Sequence, residues 1–125
     1  MTRLRKAGVI AAAATAMILA TGSSAYAGTD ATSSVAGSWS RFISVGDKFE
    51  NCDTEADWLA SYVEYQYVRK DGSLQTGSHY NPGNNGDCYI WDHDFGEGRT
   101  VWFRSCVDQP AWYTDTCDRW RTGIA

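Results

Sequence analysis

The chain has 125 residues, 15 of them acidic and 11 basic, for a formal charge of −4. That length suits one domain. The sign of the charge gives no electrostatic hold on nucleic acid or an anionic membrane, so both are disfavoured as partners.

The first 27 residues follow the order of an export signal. Arg3, Arg5 and Lys6 form a positive start, residues 7–20 are an Ala-rich apolar run, and Ser23, Ser24, Ala25, Tyr26 and Ala27 close it with small residues in an A-x-A pattern. A signal helix cleaved after Ala27 is expected. The apolar run falls short of the roughly 20 residues that a membrane span needs. Leu4 separates Arg3 from Arg5, so the twin-arginine signal is absent and the general secretory route is indicated. Removing the three basic residues of this segment takes the basic count from 11 to 8 against 15 acids, a formal charge of −7.

Residues 28–37 hold Ala, Ser and Thr with one charge, and are expected to form a flexible leader to a domain over residues 38–125. Residues 39–45 read as a first strand, followed by a turn at Gly46-Asp47, and Phe49 opens a short segment carrying Cys52. Asp53, Glu55 and Asp57 precede Trp58 and Leu59 in a stretch that reads equally as one helical turn or a charged loop. The clearest strand is 61–69, where Val63, Tyr65 and Tyr67 alternate with Glu64 and Gln66. Lys70-Asp71-Gly72 is a hairpin signal, and 73–80 returns as the partner strand. Residues 81–87, Asn-Pro-Gly-Asn-Asn-Gly-Asp, are almost wholly turn-forming. Residues 88–91 form a short strand and 93–98 a loop. Residues 100–107 alternate again, with Val101, Phe103 and Val107 on one face and Trp102 and Arg104 on the other. A loop over 109–116 leads to a terminal segment, 118–124. Six or seven short strands with regular turn signals predict an all-β fold, a small antiparallel β-sandwich of immunoglobulin-like type or a small barrel. No internal repeat is visible.

Cys52, Cys88, Cys106 and Cys117 all follow the signal. An even number of cysteines in a short exported chain reads as a disulfide framework. Of the three pairings, Cys106 with Cys117 is favoured because that short segment can fold back on itself, leaving Cys52 with Cys88. On chain entropy the longer loop contributes about 3.8 kcal/mol and the shorter about 2.8 kcal/mol. There is no C-x-x-C, and only His79 and His93 could complete a zinc site, so zinc is disfavoured.

Asp92, Asp94 and Glu97 place oxygen ligands in a glycine-bearing loop, the chemistry calcium prefers. Asn84, Asn85 and Asp87 would add ligands. The loop is too short for an EF-hand, so it reads first as a solvated turn and no cofactor is expected. Catalysis finds no support, since no G-x-S-x-G occurs and the cysteines are expected to be consumed in disulfides. The aromatic residues are the stronger signal: all six tryptophans and four phenylalanines, and all but one of the seven tyrosines, follow the signal. Trp91, Trp102, Trp112 and Tyr113 lie on strand edges or in loops, where exposed rings stack on sugars or anchor protein interfaces.

The C-terminal stretch reads Val101-Trp102-Phe103-Arg104-Ser105-Cys106-Val107, then Asp115-Thr116-Cys117-Asp118-Arg119-Trp120 and Thr122-Gly123-Ile124-Ala125. It resembles small exported actinobacterial β-proteins, which share a signal, a β-rich body and a strand-Cys-loop-Cys-x-x-Trp ending with Thr-Gly-x-Ala. The resemblance covers the last quarter of the chain, supports the Cys106–Cys117 pairing and implies no activity. Secreted α-amylase inhibitors of the tendamistat type are also similar as small four-cysteine β-sandwiches. They act through a Trp-Arg-Tyr triplet, and the nearest match here, Trp120-Arg121-Thr122, lacks the tyrosine.

The reading is thus a secreted, monomeric, non-catalytic recognition module facing an extracellular carbohydrate or protein. Two alternatives stand: an inhibitor of a secreted hydrolase, with the 109–116 loop as its reactive surface, and a structural component of an envelope or spore coat.

Overall fold

A computed structural model describes residues 28–125; the expected signal helix and its cleavage point lie outside them. Among the described residues there are nine strands and no helix: β1 Ala31–Val35, β2 Ser38–Ile43, β3 Lys48–Asp53, β4 Ser61–Val68, β5 Leu74–Tyr80, β6 Cys88–Asp92, β7 Thr100–Val107, β8 Thr116–Cys117 and β9 Arg121–Ile124. They form two antiparallel sheets, one ordered β1-β2-β3-β6 and the other β5-β4-β7-β8, with β9 also on β7. Immunoglobulin domains place their second strand between the first and a late one. Here β2 lies between β1 and β3, so the order is a different one.

The expected leader is not one. Residues 31–35 pair along their whole length with β2, from Ala31↔Phe42 to Val35↔Ser38. Small polar residues form an edge strand here because Ser33 is buried and its hydroxyl accepts from Ser105 N at 2.8 Å. Thr29 then bridges Ile124 through both backbone hydrogen bonds, closing one seam between the sheets. The stretch at 53–60 is a loop, not a helical turn.

The two sheets repeat one pattern. On β2 and β4 stand Ser38-Trp39-Ser40-Arg41-Phe42 and Ser61-Tyr62-Val63-Glu64-Tyr65. On β3 and β7 stand Phe49-Glu50-Asn51-Cys52-Asp53 and Phe103-Arg104-Ser105-Cys106-Val107. Their registers agree position by position: Trp39↔Cys52 matches Tyr62↔Cys106, Arg41↔Glu50 matches Glu64↔Arg104, and Phe42↔Phe49 matches Tyr65↔Phe103. Each cysteine is bonded across to the next strand, Cys52–Cys88 between β3 and β6 and Cys106–Cys117 between β7 and β8. Both expected pairings are thus present. The outward pairs carry ion pairs of opposite polarity, Arg41–Glu50 at 3.2 Å and Arg104–Glu64 at 2.8 Å. A repeat of two five-residue segments, one from each strand of a pair and with the charges exchanged, is invisible to a scan for periodic identity.

Inside, the core divides in two. One half is a cluster of Phe42, Phe49, Tyr65, Tyr67, Phe95 and Phe103 with Val63 and Val101. The other half is polar: Ser38, Ser40, Asn51, Ser61 and Ser105 are each fully buried. Asn51 Nδ2 donates to Ser38 and Ser40 Oγ at 3.1 and 2.9 Å, and Ser61 Oγ donates to Asn51 Oδ1 at 2.6 Å. Hydroxyls of Ser38 and Ser40 meet that of Ser105 at 2.5 and 2.8 Å. Such groups cost free energy to bury unless paired. Here each is paired, and the paired residues come from equivalent places in the two sheets.

Candidate functional site

Four chain segments meet at one end of the sandwich: residues 36–37, 53–60, 81–87 and 108–115. They are tied to one another by backbone. Thr54 N donates to Gly37 O at 3.2 Å, Asp53 N to Asp87 O at 3.1 Å, Gly86 N to Asp53 O at 2.7 Å and Asp108 N to Ala60 O at 2.8 Å. Asn81, buried, donates from Nδ2 to Asn51 O and Asp87 O, which holds the 81–87 turn against β3.

This end carries Asp53, Glu55, Asp57, Asp87, Asp108 and Asp115, and none of its four segments contains Lys or Arg. It also carries the three most exposed rings outside the strands: Trp58 at 100 %, Trp112 at 83 % and Tyr113 at 65 %. Trp58 has φ 60°. That left-handed backbone is unfavourable for a bulky residue and is found where surroundings impose it. Here Leu59 N donates to Asp57 Oδ1 at 3.0 Å, an Asx turn that aims the indole outward. Between Trp58 and the 81–85 turn lies an open cleft of about 550 Å3, whose walls include Asp53, Glu55, Leu59, Pro82 and Asn84.

The loop of Trp112 and Tyr113 is braced at its base. The Cys106–Cys117 disulfide closes it, Tyr62 Oη donates to Asp115 Oδ2 at 2.6 Å, and Gln109 N donates to Asp115 Oδ1 at 3.0 Å. Burial and the Asp115 hydrogen bond push the Tyr62 hydroxyl well above its ordinary pKa, so it stays a donor.

The sequence-based candidates separate. Trp112 and Tyr113 stand together at the loop end. Trp91 does not join them: it is half-buried on β6 and stacks on His79 at 5.0 Å. Trp102 is half-buried on the outer face of the second sheet, opposite Gln66 and Thr122. The four rings therefore form no coplanar row. Trp58 escaped the sequence reading, although the alternating acids before it were the available signal.

Asp92, Asp94 and Glu97 do not form a triad of ligand atoms within 4.8 Å. Asp92 pairs with Lys48 at 3.7 Å, and Asp94 and Glu97 are exposed. The 84–87 turn lies at the far end of β6 from them, so it adds no ligand. Among the described residues, the two triads of ligand atoms within 4.8 Å are Glu50-Cys52-Cys88 and Glu64-Cys106-Cys117, and the sulfurs of both are locked in disulfides. His79 and His93, by contrast, meet across the open seam between β5 and β6 with their Nε2 atoms 2.7 Å apart.

Comparison with protein-family models, with curated proteins and with solved structures finds no match to this chain.

Proposed function

We propose that the protein is an extracellular recognition module that grips a basic protein surface with its acidic, aromatic loop end. One observation carries the reading: a fully exposed tryptophan, held at positive φ, forms the wall of a cleft lined by Asp53 and Glu55 at an end free of Lys and Arg. An indole face with carboxylates beside it suits a partner's Lys or Arg side chain, through cation–π and charge-assisted contacts. Trp112 and Tyr113 supply the flat, rigid anchors typical of protein hot spots. The separation of Trp91 and Trp102 from Trp112 and Tyr113 favours a protein partner over an extended polysaccharide. Inhibition of a secreted hydrolase is one form this recognition can take, because the anchoring loop is disulfide-braced and so loses little entropy on docking. The disulfides suit an oxidising compartment.

Selection from a random peptide library displayed on phage tests the reading. The expected outcome is enrichment of Lys- and Arg-rich peptides whose affinity falls at least tenfold on Trp58→Ala or Trp112→Ala and is unchanged by Trp102→Ala. Enrichment of neutral or acidic peptides, or dependence on Trp102 alone, contradicts it.

A further inference from the structure

The two histidines of the chain stand on different sheets, His79 on β5 and His93 just beyond β6. They are the side-chain link across the seam opposite the Thr29–Ile124 bridge. Their Nε2 atoms face each other at 2.7 Å, which in a hydrogen bond requires one ring to carry its proton on Nε2 and the other on Nδ1. Both rings are stacked on aromatic neighbours. His79 lies between Trp91, at 5.0 Å and 10°, and Tyr65, at 5.6 Å and 17°. His93 stacks on Phe95 at 4.9 Å and 10°.

We infer that this pair is a two-histidine metal site for a tetragonal cation, copper(II) above all. The separation of the nitrogens decides which metal fits. A metal at about 2.0–2.1 Å from each nitrogen puts them about 2.9 Å apart at a right angle and about 3.4 Å apart in a tetrahedron. The observed gap lies about 0.2 Å below the first value and about 0.7 Å below the second. Stacked rings can give by the smaller amount. Square-planar geometry with nitrogen ligands is the preference of copper(II), which also leads the intrinsic affinity order over zinc. Neutral imidazole nitrogen is a preferred ligand for copper(II). Among the described residues no Cys, Asp or Glu ligand atom joins them in a triad within 4.8 Å, and both rings are half-exposed, which leaves the remaining positions of a bound metal to solvent. The pair is distinct from the loop-end residues Trp58, Trp112 and Tyr113: His93 follows the end of β6, whereas the 81–87 turn precedes its start.

The test is titration of the purified protein, without a histidine tag, with copper sulfate in a non-coordinating buffer. The expected result is one copper per chain, an electron paramagnetic resonance spectrum showing two equivalent nitrogens, and partial quenching of tryptophan fluorescence through Trp91. His79→Gln and His93→Gln, which keep a hydrogen-bonding side chain, are each expected to weaken binding at least tenfold, and zinc to bind at least tenfold more weakly than copper. Should either variant not fold, paramagnetic broadening in the wild-type protein that is centred on the His79 and His93 rings and fades with distance from them gives the same answer; broadening centred elsewhere contradicts it. Binding unchanged in the variants, a spectrum without two nitrogens, or no binding would overturn the inference.

Discussion

At the scale of single residues, the protein spends its few buried positions unusually. Asn51 sits where a β-sandwich would place a Val or Leu, and it is the hub of the serine network, donating to two hydroxyls and accepting from a third. Small hydroxyl side chains let the sheets approach closely, and their mutual bonds keep the approach from being costly. Asn51→Ala leaves three buried hydroxyls short of a partner and opens a void. The expected loss is about 2–3 kcal/mol, read from the midpoint of guanidinium unfolding. A loss under about 0.5 kcal/mol would show that the network carries no cohesion. Two glycines serve the aromatic half in a complementary way. A Cβ on Gly77 would lie 2.5 Å from Tyr65 Oη, and one on Gly123 would collide with the Phe42 ring, so each absent side chain is the space a ring occupies. Tyr65 covers the gap that Gly77 leaves in the edge strand, to which it is directly paired.

At the scale of elements, the edge strand β1 is held by a side chain far along the sequence. Asp118, between β8 and β9, accepts from Ser33 Oγ at 2.8 Å, Ser34 N at 3.2 Å and Arg121 Nε at 2.9 Å. Burial pushes its carboxyl pKa up, but the hydrogen bonds from Arg121 and Ser33 outweigh this and hold it at about 2. The folded value lies below the unfolded one of 3.8, so the ionised form stabilises the fold above that pH and the contribution disappears as pH falls from about 4 to about 2. Acid titration followed by amide exchange should therefore show β1 losing protection in that window, and Asp118→Asn should remove the pH dependence there. Retention of the same acid transition in the variant would assign it elsewhere. The disulfides act on different elements. Each ties a short outer strand, β6 or β8, to the central strand beside it, and the loop ahead of that strand belongs to the candidate site. Cross-linking thus closes the loop that presents Trp112 and Tyr113 and ties down the 81–87 turn that faces Trp58 across the cleft.

At the scale of the whole molecule, what could be read from the sequence follows the range of the forces involved. Strands β4 and β7 alternate a buried and an outward residue, and their bounds come close to the expected ones because pattern and burial coincide there. The Asp71-Gly72 turn and the Cys106–Cys117 pairing are local enough to read as well, and Cys52–Cys88 followed as the remaining pair. β1 could not be read, because its serines gain their partners only from β7 and from Asp118, some 70 and 85 positions away. The histidine pair, 14 residues apart, depends on two edge strands of different sheets meeting, which no periodicity records. The site was half legible: exposure of Trp112 and Tyr113 follows from their loop, whereas Trp58 owes its presentation to the turn made by Asp57. On the proposed reading, the acids gathered at the loop end make association with a basic surface fast and sensitive to salt. The most direct measurement is therefore backbone amide shift mapping of the 15N-labelled protein against a Lys- and Arg-rich peptide, at low and at high ionic strength. Shifts confined to residues 53–60, 81–87 and 108–115, fading as salt rises, are the predicted result; shifts centred on Trp39, Trp102 or Trp120, or unchanged by salt, would contradict it.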